Sequence, residues 1–88
     1  MEDIKYFYQK YINQLCTRCN CVTISEDSKN YECDHIIPIC LASTRKEILY
    51  LNRLKNIRLI CKKCNQEKRD KIEHPNLLEK FEKWQQEQ

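Results

Sequence analysis

The sequence has no apolar run approaching the roughly 20 residues that cross a bilayer, which excludes an integral membrane protein. Its first residues, Met1-Glu2-Asp3-Ile4-Lys5, lack a basic stretch followed by an apolar segment, so no secretory leader is expected. Repeats, low-complexity tracts and an internal domain boundary are missing too. Glycine is absent altogether, and there are two prolines. What is present is a chain of 88 residues, 41% hydrophobic and 33% charged, too apolar for a disordered tail. It reads as one domain over residues 1–88. A domain this short buries only about 60% of the surface its unfolded chain exposes, so its core is marginal alone. Disulfides, a metal or a partner chain usually make up the deficit.

The cysteines select the staple. There are seven, an odd number that a closed disulfide framework would not use up, and nothing points to an oxidising compartment. The expected location is intracellular and reducing, cytoplasm or nucleus/nucleoid. Cys16-Thr17-Arg18-Cys19 and Cys61-Lys62-Lys63-Cys64 are two C-x-x-C pairs, a spacing that lets both thiolates of a pair turn onto one tetrahedral ion. Four thiolates from Cys16, Cys19, Cys61 and Cys64 therefore point to a structural Zn²⁺, with Cys21 close enough in sequence to replace Cys19. The inner cysteines lie 42 positions apart, whereas a plain ribbon has about 15 to 20 residues there. The insert must carry something else. Cys33 and Cys40 flank an apolar stretch and read as small buried hydrophobes.

Charge is uneven along the chain. Between Arg45 and Lys71 ten basic residues face three acidic ones, a balance of +7 that leaves −4 for the rest of a chain whose net charge is +3. Such a concentration suits a polyanion such as a nucleic acid, although a solvated helical face has the same composition.

Ile4, Phe7, Tyr8, Tyr11, Ile12 and Leu15 form one apolar helical stripe, so the spacing predicts an N-terminal helix to residue 15 with Asp3 as its cap. Ser25 to Asn30 is a polar turn. Tyr31 to Ile39 opens as a strand that Pro38 ends. Ser43 or Thr44 is placed to cap a short helix carrying Ile48, Leu49, Leu51 and Leu54. Asn56 to Cys61 reads as a strand with alternating faces, and Lys62 to Ile72 as a helix. After His74-Pro75-Asn76, the residues Leu77, Leu78, Phe81 and Trp84 begin a last amphipathic helix over 75–88. Phe7, Tyr8, Phe81 and Trp84 are expected in the core.

Inside the insert, Asp34-His35-Ile36-Ile37-Pro38 is followed by Asn56-Ile57-Arg58-Leu59 and then by Cys61-x-x-Cys64-Asn65-x-x-Lys68. Helical offsets put Cys61, Cys64, Asn65 and Lys68 along one side. In this order, within paired C-x-x-C motifs, the run from Cys16 to about Lys71 resembles the HNH family of endonucleases. The resemblance implies an α+β fold, a small ββα-metal, treble-clef-like, zinc-stapled core over 16–72 with flanking N- and C-terminal helices. It also implies a catalytic Mg²⁺ or Mn²⁺ held through oxygen by Asp34 and Asn65. His35 would be the general base activating water, since an imidazole accepts a proton near neutral pH. Asn56 would pin the loop behind that ring, and the products would carry a 5′-phosphate and a 3′-hydroxyl. Two features depart from the family. Many relatives have histidine where Asn65 stands, and an amide oxygen suits Mg²⁺ better than late transition metals. The segment after Pro38 is glycine-free where relatives are often glycine-rich.

DNA is the expected partner and RNA a second candidate, contacted by Arg58, Lys62, Lys63, Lys68 and Arg69 through phosphates rather than base edges. Cutting both strands would call for a homodimer, for which the sequence carries no signal. Glu32, two residues before Asp34 on the same strand face, is a candidate auxiliary metal group. The rival reading is a non-catalytic zinc-finger-like nucleic-acid-binding module, which needs the cysteines and basic residues but not Asp34, His35 and Asn65 together. A zinc-stapled protein adaptor would leave the basic segment unexplained.

Overall fold

The computed structural model describes residues 4–88, with side chains from Tyr6 onward. It is a small α+β structure with a two-stranded sheet and four α-helices among the described residues. The chain divides into two compact units, Met1–Asp34 with Arg58–Arg69, and His35–Ile57 with Asp70–Gln88.

The first unit starts with α1 (Ile4–Gln9), shorter than the stripe predicts. The cap expected at Asp3 and the side chain of Ile4 lie outside the described residues. The helix stops because the following segment turns to pair with residues 22–24. Asn13 takes φ 64° and donates its N–H to Ile24 C=O at 2.7 Å, Ile24 N–H returns to Gln14 C=O at 2.8 Å, and Cys16 N–H reaches Val22 C=O at 2.7 Å. Phe7 is buried as expected, but Tyr8 is exposed and belongs to no core. A turn at 26–29 follows, closed by Asn30, whose amide accepts from Ser25 N–H and donates to Thr23 C=O, both at 2.9 Å.

Strands β1 (Tyr31–His35) and β2 (Ile57–Cys61) form the sheet. Lys62 N–H donates to Asn30 C=O beyond one end, and Ile36 N–H donates to Asn56 C=O beyond the other. Both pairs have the same index sum, so the strands are antiparallel and Asp34 stands directly opposite Arg58. The alternating burial expected of β2 is not found. Arg58, Leu59, Ile60 and Cys61 are all buried, because the polar face is occupied by an internal ion pair rather than by water. The helix leaving β2, α3 (Lys62–Lys68), stops four residues short of the expected end at Ile72. Arg69 adopts φ 49° and its N–H bonds back to Asn65 C=O at 3.0 Å. The core gathers Cys16, Ile24, Ile60, Cys61 and Cys64, with Ile12, Val22 and Tyr31 against it.

Without glycine, the positive-φ turns of the described residues fall on Asn13, Asn20, Lys29 and Arg69. Asparagine tolerates this region best, and a lysine or arginine there costs on the order of 1 kcal/mol or more.

In the second unit α2 (Arg45–Leu51) is capped by Thr44, whose Oγ1 accepts from Glu47 N–H at 3.2 Å. Such a cap is worth about 1 kcal/mol. The Glu47 carboxylate reaches back to the N–H and hydroxyl of Ser43 (2.9 and 2.8 Å) and accepts from Gln85 Nε2 of α4 (Pro75–Gln86) at 2.9 Å. Pro75 sits at the first turn of α4, where its missing N–H costs nothing. The core is Ile37, Leu51 and Phe81, with Tyr50 stacked on Trp84 at 4.4 Å between ring centres. Burying a side chain like Phe81 stabilises by about 1.5–3 kcal/mol. Cys40, expected inside, is exposed in the 3₁₀ turn Ile39–Leu41.

The amide of Gln85, then the N–H and hydroxyl of Ser43, hold the Glu47 carboxyl down to about 2. The unfolded carboxyl takes up its proton near 4.5, so this group's stabilisation is complete above that pH and disappears as pH falls towards 2. Glu47→Gln should therefore lower the thermal midpoint at pH 6 and leave it unchanged near pH 2. An equal difference at both pH values would mean the carboxylate charge is not what holds α2 to α4.

Candidate functional site

The two C-x-x-C pairs meet in the first unit. One pair lies on the turn that Asn20 closes through a 2.8 Å bond to Cys16 C=O, and the other ends β2 and starts α3. All four Sγ atoms lie within 4.8 Å of one another. Cys16–Cys64 is 3.8 Å and Cys19–Cys61 is 4.0 Å. Zn–S bonds of about 2.3 Å in a tetrahedron give an S···S edge of about 3.8 Å, so the donor set fits Zn²⁺.

Backbone N–H groups also point at the sulfurs. Cys61 N–H bonds to Cys16 Sγ and Cys64 N–H to Cys61 Sγ, each at 3.4 Å, the second capping α3. Burial pushes the Cys16 thiol up, but N–H donors from Cys61, Cys19 and Arg18 outweigh it and bring the group to about 6. The N–H of Cys21 leads in lowering Cys19. Burial pushes Cys64 up to about 12. Four thiolates this close repel one another, so the last ones ionise only with a cation among them. Cys21 is exposed and bonded to Cys19 C=O at 3.2 Å, outside the cluster. Cys33 is exposed, contrary to expectation, because it alternates with Asp34 on β1 and takes the outer face.

Asp34 is 4% exposed and sits between two cations of its own unit. Arg58 Nε donates to Oδ2 at 2.9 Å, the cross-strand pair the register dictates, and Lys68 Nζ donates to Oδ1 at 3.0 Å from the last turn of α3. Lys68 is fully buried and Arg58 is 8% exposed. Neither is on the phosphate-contacting face expected for it, because each is drawn inward to neutralise the carboxylate. Lys62, Lys63 and Arg69 are exposed. Asn65, one turn before Lys68, is half-buried, and Glu32 is exposed while Asp34 is buried. In this arrangement Asp34 does not fit a divalent ion, since both its oxygens serve buried cations and a third positive centre would be repelled by them.

In the second unit the His35 ring meets Asn52, Nε2 to Oδ1 at 2.7 Å. An amide oxygen only accepts, so Nε2 carries the proton and Nδ1 is the basic nitrogen of the neutral ring. Nothing in the sequence marks Asn52, which as the C-cap of α2 looks like an ordinary helix end. Asn56 is buried, and its side chain makes three bonds. Oδ1 accepts from Ile37 N–H at 2.8 Å, and Nδ2 donates to Ile37 C=O at 3.0 Å and Leu51 C=O at 2.8 Å. Its own C=O accepts from Ile36 N–H at 2.8 Å. The two residues that follow His35 are therefore clamped by one asparagine.

Among the described residues no helix is long and apolar enough to cross a membrane. Comparison with known proteins finds no similar family model, curated protein or solved structure.

Proposed function

We propose that the chain is an HNH-type endonuclease that hydrolyses DNA phosphodiester bonds, with a ββα, treble-clef-like core stapled by Zn²⁺ at Cys16, Cys19, Cys61 and Cys64. The observation that carries this reading is the Asn56 clamp on Ile37, two residues beyond a histidine whose tautomer is set by Asn52. A pinned ring is what a general base needs, because proton transfer requires hydrogen-bond distance to the attacking water. His35 would take that proton. Exposed Lys62, Lys63 and Arg69 supply phosphate contacts.

The resemblance assigns Mg²⁺ or Mn²⁺ to Asp34 and Asn65, but the ion pairs at Asp34 oppose it. The same pairs favour a second reading, a zinc-stapled nucleic-acid-binding module without catalysis, for which an internally neutralised Asp34 is no handicap.

Supercoiled plasmid incubated with the zinc-loaded protein separates the two. Nicked or linear product is expected, and His35→Ala should slow its formation by roughly 10²- to 10⁴-fold, the usual worth of a general base. Far-UV CD and zinc content should stay unchanged. Undiminished cutting by that variant removes His35 from the mechanism, and retarded but uncut plasmid favours the binding module. Divalent-ion dependence is tested by omitting Mg²⁺ and Mn²⁺, since a chelator would also strip the staple.

A further inference from the structure

A cavity of about 200 Å³ lies within the second unit, apart from the cysteine cluster. Its walls include Ile37, Leu77 and Phe81, and Arg53, Lys55 and Lys80 stand around it. Among the described residues no acidic side chain lines it. Three cations around an apolar recess select an anion that also carries an apolar body. The volume is below the roughly 300–1,000 Å³ of drug-sized ligand sites, so one compact unit fits rather than a stretch of polymer.

Arg53 is not a loose surface side chain. Its guanidinium lies 4.5 Å from the centre of the Tyr50 ring, and Tyr50 is itself stacked on Trp84. A guanidinium held this way loses less freedom when it binds a phosphate through its fork of N–H donors. Asn56 also lines the cavity and clamps Ile37, another lining residue.

We propose that this cavity is a seat for a single nucleotide of an unpaired DNA strand, its base against Leu77 and Tyr50 over the buried Ile37 and Phe81, and its phosphate on Arg53, Lys55 and Lys80. The choice of a nucleotide rests on the DNA reading above; the demand for an apolar body joined to an anion does not. Such a seat would hold one nucleotide beside the loop that follows His35, giving the protein a preference for frayed, flapped or single-stranded DNA.

The test is titration of the zinc-loaded protein with thymidine monophosphate, followed by the fluorescence of Trp84, the chain's one tryptophan. Trp84 stacks on Tyr50 and lies 6.1 Å from Phe81 between ring centres, and both of those rings line the cavity. Saturable quenching is expected, weakening with salt. Inorganic phosphate and unphosphorylated thymidine should each bind at least tenfold more weakly. Lys80→Ala and Arg53→Ala, both at exposed positions, should each cost about tenfold, as lost charge-assisted hydrogen bonds do.

Phosphate binding as tightly as the nucleotide would overturn the base contact, and thymidine binding as tightly would overturn the phosphate contact. No saturable signal, or binding untouched by both substitutions, would overturn the seat itself. Repeating the titration with His35→Ala separates this proposal from the nuclease reading, since nucleotide binding should persist in a variant whose cutting is strongly slowed.

Discussion

Cys61→Ser is expected to unfold the first unit. The substitution removes one of the four sulfurs placed to hold Zn²⁺, the acceptor that caps α3 and the last residue of β2 at once. Structural zinc contributes roughly 10–16 kcal/mol of apparent binding free energy at neutral pH, against a total stability of about 5–15 kcal/mol for ordinary domains. Losing a ligand therefore exceeds what a core of five small and medium side chains can replace. Far-UV CD and metal content measured together check this: the variant should be zinc-poor and should not regain native ellipticity when Zn²⁺ is added. A zinc-free, fully folded Cys61→Ser would overturn the staple. Cys33→Ser and Cys40→Ser are the controls. Both thiols are exposed and outside the cluster, so each should change stability by no more than about 0.5 kcal/mol. Acid should release the metal, because thiolates must be deprotonated to bind it.

The second large effect is expected at Asp34. Asp34→Ala removes the carboxylate to which Arg58 and Lys68, two cations with almost no access to water, both donate. Removing one partner from a buried ion cluster costs about 3–5 kcal/mol, mostly the penalty of the charges left behind. Urea denaturation of the zinc-loaded protein should show that loss. Replacing Arg58 and Lys68 by methionine in the same chain should recover most of it, because apolar side chains of similar volume carry no charge to desolvate at this position. A change below about 1 kcal/mol for Asp34→Ala would mean that water or a rearrangement already screens the cluster. Plasmid cutting by Asp34 variants consequently says little about catalysis unless the folded fraction is measured in parallel.

Much of this arrangement was legible in the chain itself. The C-x-x-C spacing located all four members of the sulfur cluster, since that signal is local and survives any path taken by the 41 residues between Cys19 and Cys61. The cap of α2 could be narrowed to Ser43 or Thr44, of which Thr44 is the one, and the last helix could be started at Pro75. The apolar stripe from Ile4 to Leu15 misled because periodicity reports what a segment would do alone, while Asn13 to Cys16 are claimed by hydrogen bonds to residues 22–24. Lys68 and Arg58 misled for a related reason. A cation is assigned to the surface unless its counter-charge is known, and Asp34 becomes that counter-charge only once the strand register and α3 are fixed. Cys33 shows the converse: a thiol beside an inward carboxylate must face out. The Asn52 contact with His35 depends on where α2 ends, which no spacing rule supplies.

The glycine-free composition has a consequence for the denatured ensemble. Each glycine gives an unfolded chain extra conformations that folding must take away, roughly 0.5–1 kcal/mol relative to alanine. This chain reverses direction at Asn13, Asn20, Lys29 and Arg69 instead. It accepts local strain at those points, and in return its unfolded form is less diverse and has less entropy to surrender. Part of what keeps this chain folded thus resides in states that the folded structure never displays.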